Sequence, residues 1–305
     1  MKTFVVTGAS GYIGSHMCYE LKQSYPDCEI IAVDKIRKNK LDHLYDKFVL
    51  CDVSNTNRFV FDKTVDCIFH FAAYAVVSEG QEKPYTYYRN NLMSAMYMMD
   101  QAIHHKVKNF VFSSSCSVYG NSPSEMPISE WERKNPKSVY AQTKSIGEEV
   151  LLSASWQNDI RVSILRYFNV AGRNVEAGLY EEHEPETHLI PNLTNGKEVN
   201  IYGDGSIIRD YIHVVDLCKA HIAAYEYMEK NDKGISCNIG TGVGYSVSEI
   251  IENVESILGT KLKLNWCPPR DGDVPKLVSD TKKMREVLTF EPEHDIVSII
   301  KSMRN

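Results

Sequence analysis

Residues 3–14 read Thr3-Phe4-Val5-Val6-Thr7-Gly8-Ala9-Ser10-Gly11-Tyr12-Ile13-Gly14. An apolar, β-branched run leads straight into three glycines spaced G-x-x-G-x-x-G. A helix-periodic stretch then runs from Tyr12 to about Ser24. Glycines let a backbone turn tightly and approach a pyrophosphate, and a helix N-terminus adds amide donors and positive dipole. The same glycines could serve a plain strand-to-helix turn. Their place between a strand and a helix favours the phosphate cradle: Gly8, Gly11 and Gly14, with Tyr12 and Ile13 between them. The next strand candidate, 29–34, ends at Asp34, about 20 residues on. A carboxylate there suits ribose hydroxyls and repels a 2′-phosphate, which favours NAD over NADP. Lys35, Arg37 and Lys38 pull weakly the other way. Asp52, ending the third strand candidate with Val53 after it, reads either as a contact to the adenine edge or as a simple strand-end turn residue.

Working outward, short apolar runs alternate with helix-length periodic stretches. Strand candidates follow at 47–52, 66–72, 109–114 and 161–168, with helical patterns near 84–105 and 138–155. Leu92, Ala95, Met96, Met99 and Ile103 recur at helical spacing and read as a core or subunit-facing stripe. Strand–helix alternation with near-continuous apolar strands implies a parallel sheet covered on both faces. The expected fold is α/β, a Rossmann-type doubly wound parallel sheet with a smaller interleaved α/β substrate lobe. The pattern loosens over 170–208 and resumes at DYIHVVDL (210–217) and SCNIG (236–240). A helix follows over 246–258, capped by Ser246 with Glu249 three residues on. The expected division is 1–168 plus about 206–245 for NAD, and about 169–205 plus 246–305 for the substrate.

The chain has 305 residues and a net charge of −6. That balance excludes a nucleic-acid or anionic-membrane surface as its main business, since both need a basic face. Its 43% hydrophobic and 24% charged content is ordinary globular usage, which excludes a disordered chain. No apolar run approaches the roughly 20 residues of a membrane helix. The apolar part of the N-terminus is too short for a signal peptide. None of the eight cysteines forms a C-x-x-C pair. Free thiols in a reducing cytoplasm are expected, with no disulfide frame and no metal site.

Tyr140 and Lys144 stand at i and i+4, on one face of a helix. A nearby ammonium favours the phenolate, which can take a proton from a sugar hydroxyl as hydride leaves the carbon. About one Tyr-x-x-x-Lys match is expected by chance in such a chain. The pair draws its weight from lying after the Ser-rich loop 113–120, SSSCSVYG, at the end of a strand. There a serine hydroxyl can bridge tyrosine and substrate.

At this point the chain resembles the extended short-chain dehydrogenase/reductase family, and within it the UDP-glucose (UDP-galactose) 4-epimerases. The matching stretches are TGASGYIGSH (7–16), HFAA (70–73), YYRNN (87–91), SSSCSVYG (113–120) and YAQTK (140–144). They continue with RYFNVAG (166–172), PETHLIPNL (185–193), RDYIHVVDL (209–217) and PPRDGD (268–273). The resemblance implies a UDP-sugar substrate, NAD as cofactor, and Tyr140 as proton acceptor and donor, with Lys144 as electrostatic partner and Ser115 as second hydroxyl. It places Phe71, Ala72, Asn90 and Tyr167 at the NAD site. Asn169, His188 and Leu189 would touch the nucleotide sugar and Tyr202 would stack on uracil. Arg209 and Arg270 would grip the diphosphate, and Asp273 would accept from the uridine ribose. As a bare triplet, Arg209-Asp210-Tyr211 also reads as a surface ion pair at a strand start. A homodimer through the helices at 84–105 and 138–155 is implied as well.

Related dehydratases carry an Asp-Glu pair just after the catalytic Ser/Thr, and related decarboxylases a Glu in that loop. Here Cys116 and Ser117 stand there. Without an extra acid–base pair, oxidation and re-reduction at one carbon is the simplest cycle. Two departures stand out. Tyr74-Ala75-Val76-Val77 supplies none of the Lys or Ser that some relatives set against the nicotinamide ribose. Leu277 stands where a large Tyr gates N-acetyl sugars in relatives. UDP-GlcNAc/UDP-GalNAc or a UDP-uronate therefore remain alternative substrates.

Overall fold

The computed structural model describes residues 1–55, 61–121, 127–181, 188–196, 198–270 and 273–304. Residues 185–187 of PETHLIPNL and 271–272 of PPRDGD lie outside the described residues. The strands are β1 Thr3–Thr7, β2 Glu29–Asp34, β3 Lys47–Leu50, β4 Cys67–His70, β5 Asn109–Ser115, β6 Arg161–Tyr167 and β7 Asn169–Ala171. They continue with β8 Val199–Tyr202, β9 Ile208–His213, β10 Ser236–Ile239, β11 Gly244–Ser246, β12 Leu264–Cys267 and β13 Lys276–Leu277. The helices are α1 Tyr12–Ser24, α2 Val77–Glu82, α3 Pro84–His104, α4 Val139–Asn158 and α5 Leu189–Thr194. The last four are α6 Val214–Asn231, α7 Val247–Leu258, α8 Lys282–Glu286 and α9 Ile296–Ser302.

Seven parallel strands form the large sheet in the order β10-β6-β5-β4-β1-β2-β3. The chain moves outward from β1 to β3, then returns to β4 on the other side of β1. A crevice opens outside the strand ends at such a switch point. Side-chain alternation fills both faces. Phe4 and Val6 enter one buried cluster and Val5 the other, as do Ile30 and Ala32 against Ile31 and Val33. A smaller sheet centres on β9, antiparallel to β11 and parallel to β7 and β13. β8 and β12 form a separate parallel pair. Ile190, Leu193, Ile201, Ile250, Val254 and Ile299 make a further core beside them.

The glycine turn and α1 start where the sequence places them. α7 carries the anticipated capping box of Ser246 and Glu249. The run DYIHVVDL does not continue as one element. β9 ends at His213, whose side chain accepts from the Val215 amide at 3.2 Å and caps α6. β9 and the start of β11 lie in the small sheet, whereas α6 and β10 pack with the large one. The 66–72 strand shortens to Cys67–His70: the Phe71 amide is shared between the Thr7 carbonyl at 3.3 Å and Thr7 Oγ1 at 3.1 Å, and the Ala72 amide donates to Thr7 Oγ1 at 3.2 Å.

Four histidines, His16, His70, His213 and His221, are buried in this frame. Burial is the leading cause that holds His70 down at about 3 and the other three at about 4. An unfolded chain protonates them near 6.5, so between 6.5 and about 4 it binds more protons than the folded one. Their contribution is complete above pH 6.5 and is lost as the pH falls toward 4. His294, raised by its hydrogen bond to Asp216, works in the opposite sense. The urea midpoint should fall clearly between pH 7 and pH 5; an unchanged midpoint would contradict this reading.

Candidate active site

The parallel sheet brings the C-terminal ends of β1 to β6 to one edge, and the first site is built there. Gly8 sits at φ +69, and a Cβ on it would lie 2.9 Å from the Ala72 nitrogen. On Gly14 a Cβ would meet the Gly8 carbonyl oxygen at 2.1 Å. The first residue needs glycine for its conformation and the second for close packing of helix on loop. Gly11 is the N-cap of α1 and offers no side-chain hydrogen bond, and the first turn holds no acidic residue. Its leading amides are thus not taken by a side chain. Asp34 closes the loop, accepting from the Ser10 amide and from the Ile36 amide, both at 3.0 Å.

An open cleft lies over this loop. Gly8, Gly11, Asp34, Asp52, Val53, Phe71, Ala72 and Asn90, all expected from the sequence, line it. Asn90 donates to Asn91 Oδ1 at 3.0 Å. Tyr12 turns away and donates its hydroxyl to the Gly172 carbonyl, while Ile13 packs into the core. The glycine cradle, the uncapped helix and the carboxylate at the end of β2 fit a dinucleotide. Gly14→Ala should release bound NAD and lower the melting temperature, since the new methyl collides with backbone rather than a movable side chain. Wild-type NAD content in purified Gly14→Ala would contradict this.

Beside the cleft, Ser138 caps α4 by accepting from the Ala141 amide at 3.1 Å, which presents Tyr140 and Lys144 together. Lys144 Nζ donates to the Ser113 carbonyl at 2.8 Å and lies 5.8 Å from the Tyr140 ring centroid. Tyr140 hydrogen-bonds with Ser115, the last residue of β5. Tyr167 pairs with Ser115 across β5–β6, and its hydroxyl bonds to that of Ser113. The expected lowering of the phenol by Lys144 is not what the fold produces. Burial pushes Tyr140 up to about 12, opposed by the Ser115 hydrogen bond. Lys144 is itself pushed down by burial to about 7, opposed by Glu148 one turn on.

A second group gathers around the small sheet. Arg209 donates to the carbonyls of Ile208 and Val274 at 2.9 and 2.7 Å, and burial pushes it down. Asp273 bears on it electrostatically, so the two face one region. Leu277 pairs with Arg209 along β13–β9 and is buried with Cys116 and Phe168, next to Ser115. Asn169 pairs with Tyr211 along β7–β9. The Arg270 guanidinium lies 3.8 Å over the Tyr202 ring centroid, so one face of that ring is already covered. Leu189 begins α5, and His188 before it turns to Glu181 at 3.0 Å.

The pattern of the NAD dependent epimerase/dehydratase family matches residues 4–240 of this chain. The chain belongs to that family. It is 37% identical to a UDP-glucose 4-epimerase of Lactobacillus helveticus, over 97% of this chain and 94% of the relative. Its fold is similar to that of UDP-glucose 4-epimerase from Brucella ovis in complex with NAD, with a TM-score of 0.91 and 32% identity. That match covers 99% of this chain and 97% of the other. It is also similar to the enzyme from Bifidobacterium longum in complex with NAD+ and UDP, with a TM-score of 0.87 and 30% identity over 99% and 97% of the chains.

Within this family member, the residues that support the site carry little signal in the sequence. Asp210 is not in an ion pair with Arg209. It is fully buried and accepts from Thr241, Gly242 and Ser279 at 2.5–3.1 Å, tying three segments together. Glu148 and Arg166 form a buried two-pronged pair at 2.9 and 2.6 Å behind Lys144. Lys35, Cys51, Ser54, Ala73, Tyr74 and Ser94 also line the cleft. Their one sequence signal is that Lys35 and Cys51 follow directly on strand ends.

Proposed function

We infer that the chain is an NAD-dependent UDP-hexose 4-epimerase that interconverts UDP-galactose and UDP-glucose through a transient 4-keto sugar. The observation that carries it is the trio Tyr140, Ser115 and Lys144 beside the dinucleotide cleft, followed by Cys116 and Ser117 rather than carboxylates. Bound NAD would supply the hydride acceptor and donor at C4. Gly8, Gly11, Gly14, Asp34, Asp52, Val53, Phe71, Ala72 and Asn90 would hold it, with Tyr167 deeper beside the catalytic serine.

Tyr140 takes the proton of the sugar O4 and later returns it, while Ser115 orients that hydroxyl. Lys144 provides positive charge when protonated. Arg209 and Arg270 would hold the diphosphate, a task that guanidinium forks suit. Tyr202 would stack on uracil and Asp273 would bind its ribose. Asn169, His188 and Leu189 would contact the sugar half. Binding energy then sits on the part that does not react, leaving the hexose free to turn. The residues of the large sheet form the NAD domain in this reading, and those around β8, β12, α7 and α9 the substrate lobe.

A homodimer through α3 and α4 is part of the proposal. Tyr85, Met93, Met96 and Ile146 leave those helices apolar and exposed. Among the described residues no helix is long and apolar enough to cross a membrane. The eight free cysteines suit a reducing cytoplasm. The test is proton NMR of the anomeric region, with UDP-galactose and UDP-N-acetylgalactosamine incubated separately. Conversion of UDP-galactose supports the reading. Conversion of the N-acetyl sugar alone would shift it to the alternative that Leu277 opens, and no conversion of either, with NAD added, would overturn it.

A further inference from the structure

Lys35 and Tyr74 stand on opposite sides of the dinucleotide cleft. Lys35 follows the end of β2 and Tyr74 follows β4. These two strands flank β1, so they lie roughly 10 Å apart at the usual strand spacing. Lys35 directly follows β2 and Tyr74 comes four residues after β4, so a contact between them joins segments that leave the sheet on either side of β1, and the glycine loop after β1 lines the same cleft. The contact exists: Lys35 Nζ donates to the Tyr74 hydroxyl at 2.6 Å and lies 4.1 Å over the ring centroid.

The two partners are anchored differently. Asn91 accepts from the Tyr74 amide at 2.8 Å and donates to the Tyr74 carbonyl at 3.1 Å. The same buried side chain donates to Thr143, the residue before Lys144, at 2.9 Å. Tyr74 is therefore a fixed catch, tied to the catalytic helix. Lys35 is exposed on a flexible stem, and its side chain has only to rotate for the contact to open.

We propose that Lys35 and Tyr74 form a strap across the cleft that slows departure of the dinucleotide. The proposal rests on the NAD reading above. An epimerase regenerates its cofactor in each cycle, so retention serves it, whereas a dehydrogenase with net turnover must exchange the cofactor. Lys35 replaces no catalytic group. Its role is to bridge two walls.

The experiment loads purified full-length protein with radiolabelled NAD and chases with excess unlabelled NAD. The dissociation rate is measured for wild type, Lys35→Ala, Tyr74→Leu, Tyr74→Phe and the Lys35→Ala/Tyr74→Leu double variant, with circular dichroism to verify folding. A contact of this kind corresponds to about three- to tenfold in rate. Lys35→Ala and Tyr74→Leu should each speed release by that factor, Tyr74→Phe by less, and the double variant no more than either single one. Additive effects, or a faster rate in Lys35→Ala with Tyr74→Leu unchanged, would mean that Lys35 acts on the nucleotide directly and would overturn the strap. Unchanged rates throughout would overturn it too. Wild type that binds no NAD at all would instead overturn the cofactor reading, and the strap with it.

Discussion

Tyr140→Phe is expected to lower turnover by about 100- to 10,000-fold, the range for loss of a positioned proton acceptor. UDP affinity and NAD content should stay as in wild type, because the ring and its packing are kept. Burial holds the phenol up at about 12, opposed by Ser115, so the proton leaves it only where positive charge is brought close. Lys144, pushed down to about 7, is near its own titration at neutral pH. The pair is thus finely placed, and the change removes the hydroxyl on which Ser115 acts and which takes the O4 proton in this mechanism. Steady-state kinetics with UDP-galactose checks this. Full turnover in Tyr140→Phe would place the proton acceptor elsewhere.

Glu148→Ala is expected to cost about 3–5 kcal/mol of stability, the usual penalty for breaking a buried pair. Arg166 would keep its charge with side-chain exposure of only 8%, and Glu148 itself is at 0%. Ser114 would lose its acceptor as well. The same change removes the one carboxylate that raises Lys144, so activity should fall further in whatever folds. Replacing both partners with apolar residues, Glu148→Leu with Arg166→Met, should recover much of the loss, since desolvation is then avoided on both sides. Urea unfolding at pH 7.5 measures each step. A Glu148→Ala midpoint equal to that of wild type would show that the pair is not what holds α4 to β6.

The readable and the unreadable parts of this chain differ in a physical way. Gly8, Gly11, Gly14 and Asp34 could be read because their demands are local: a positive φ, a close backbone approach and a carboxylate at a strand end. The same holds for the Ser246–Glu249 capping box, whose partners are three residues apart. Asp210 could not be read, because its donors come from residues 241–242 and 279 and only the folded chain assembles them. Beside Arg209 it has the look of a surface ion pair. Glu148 and Arg166 fail for the same reason, standing 18 residues apart on different elements. The end of β9 was hidden because Tyr211, Ile212, Val214, Val215 and Leu217 keep DYIHVVDL mostly apolar across the break, and the cap that breaks it is a histidine, an uncommon capping residue. In the catalytic trio, the spacing showed the partners but not the dominance of burial over the Lys144 charge.

The most direct measurement follows one hydrogen. UDP-galactose carrying deuterium at C4 is incubated with the protein in ordinary water, and the UDP-glucose formed is read by NMR and mass spectrometry. Oxidation and re-reduction at one carbon within a closed site predicts that the deuterium is retained at C4 of the product. Product with hydrogen from solvent at C4 would contradict that cycle, and absence of any UDP-glucose would contradict the reaction itself.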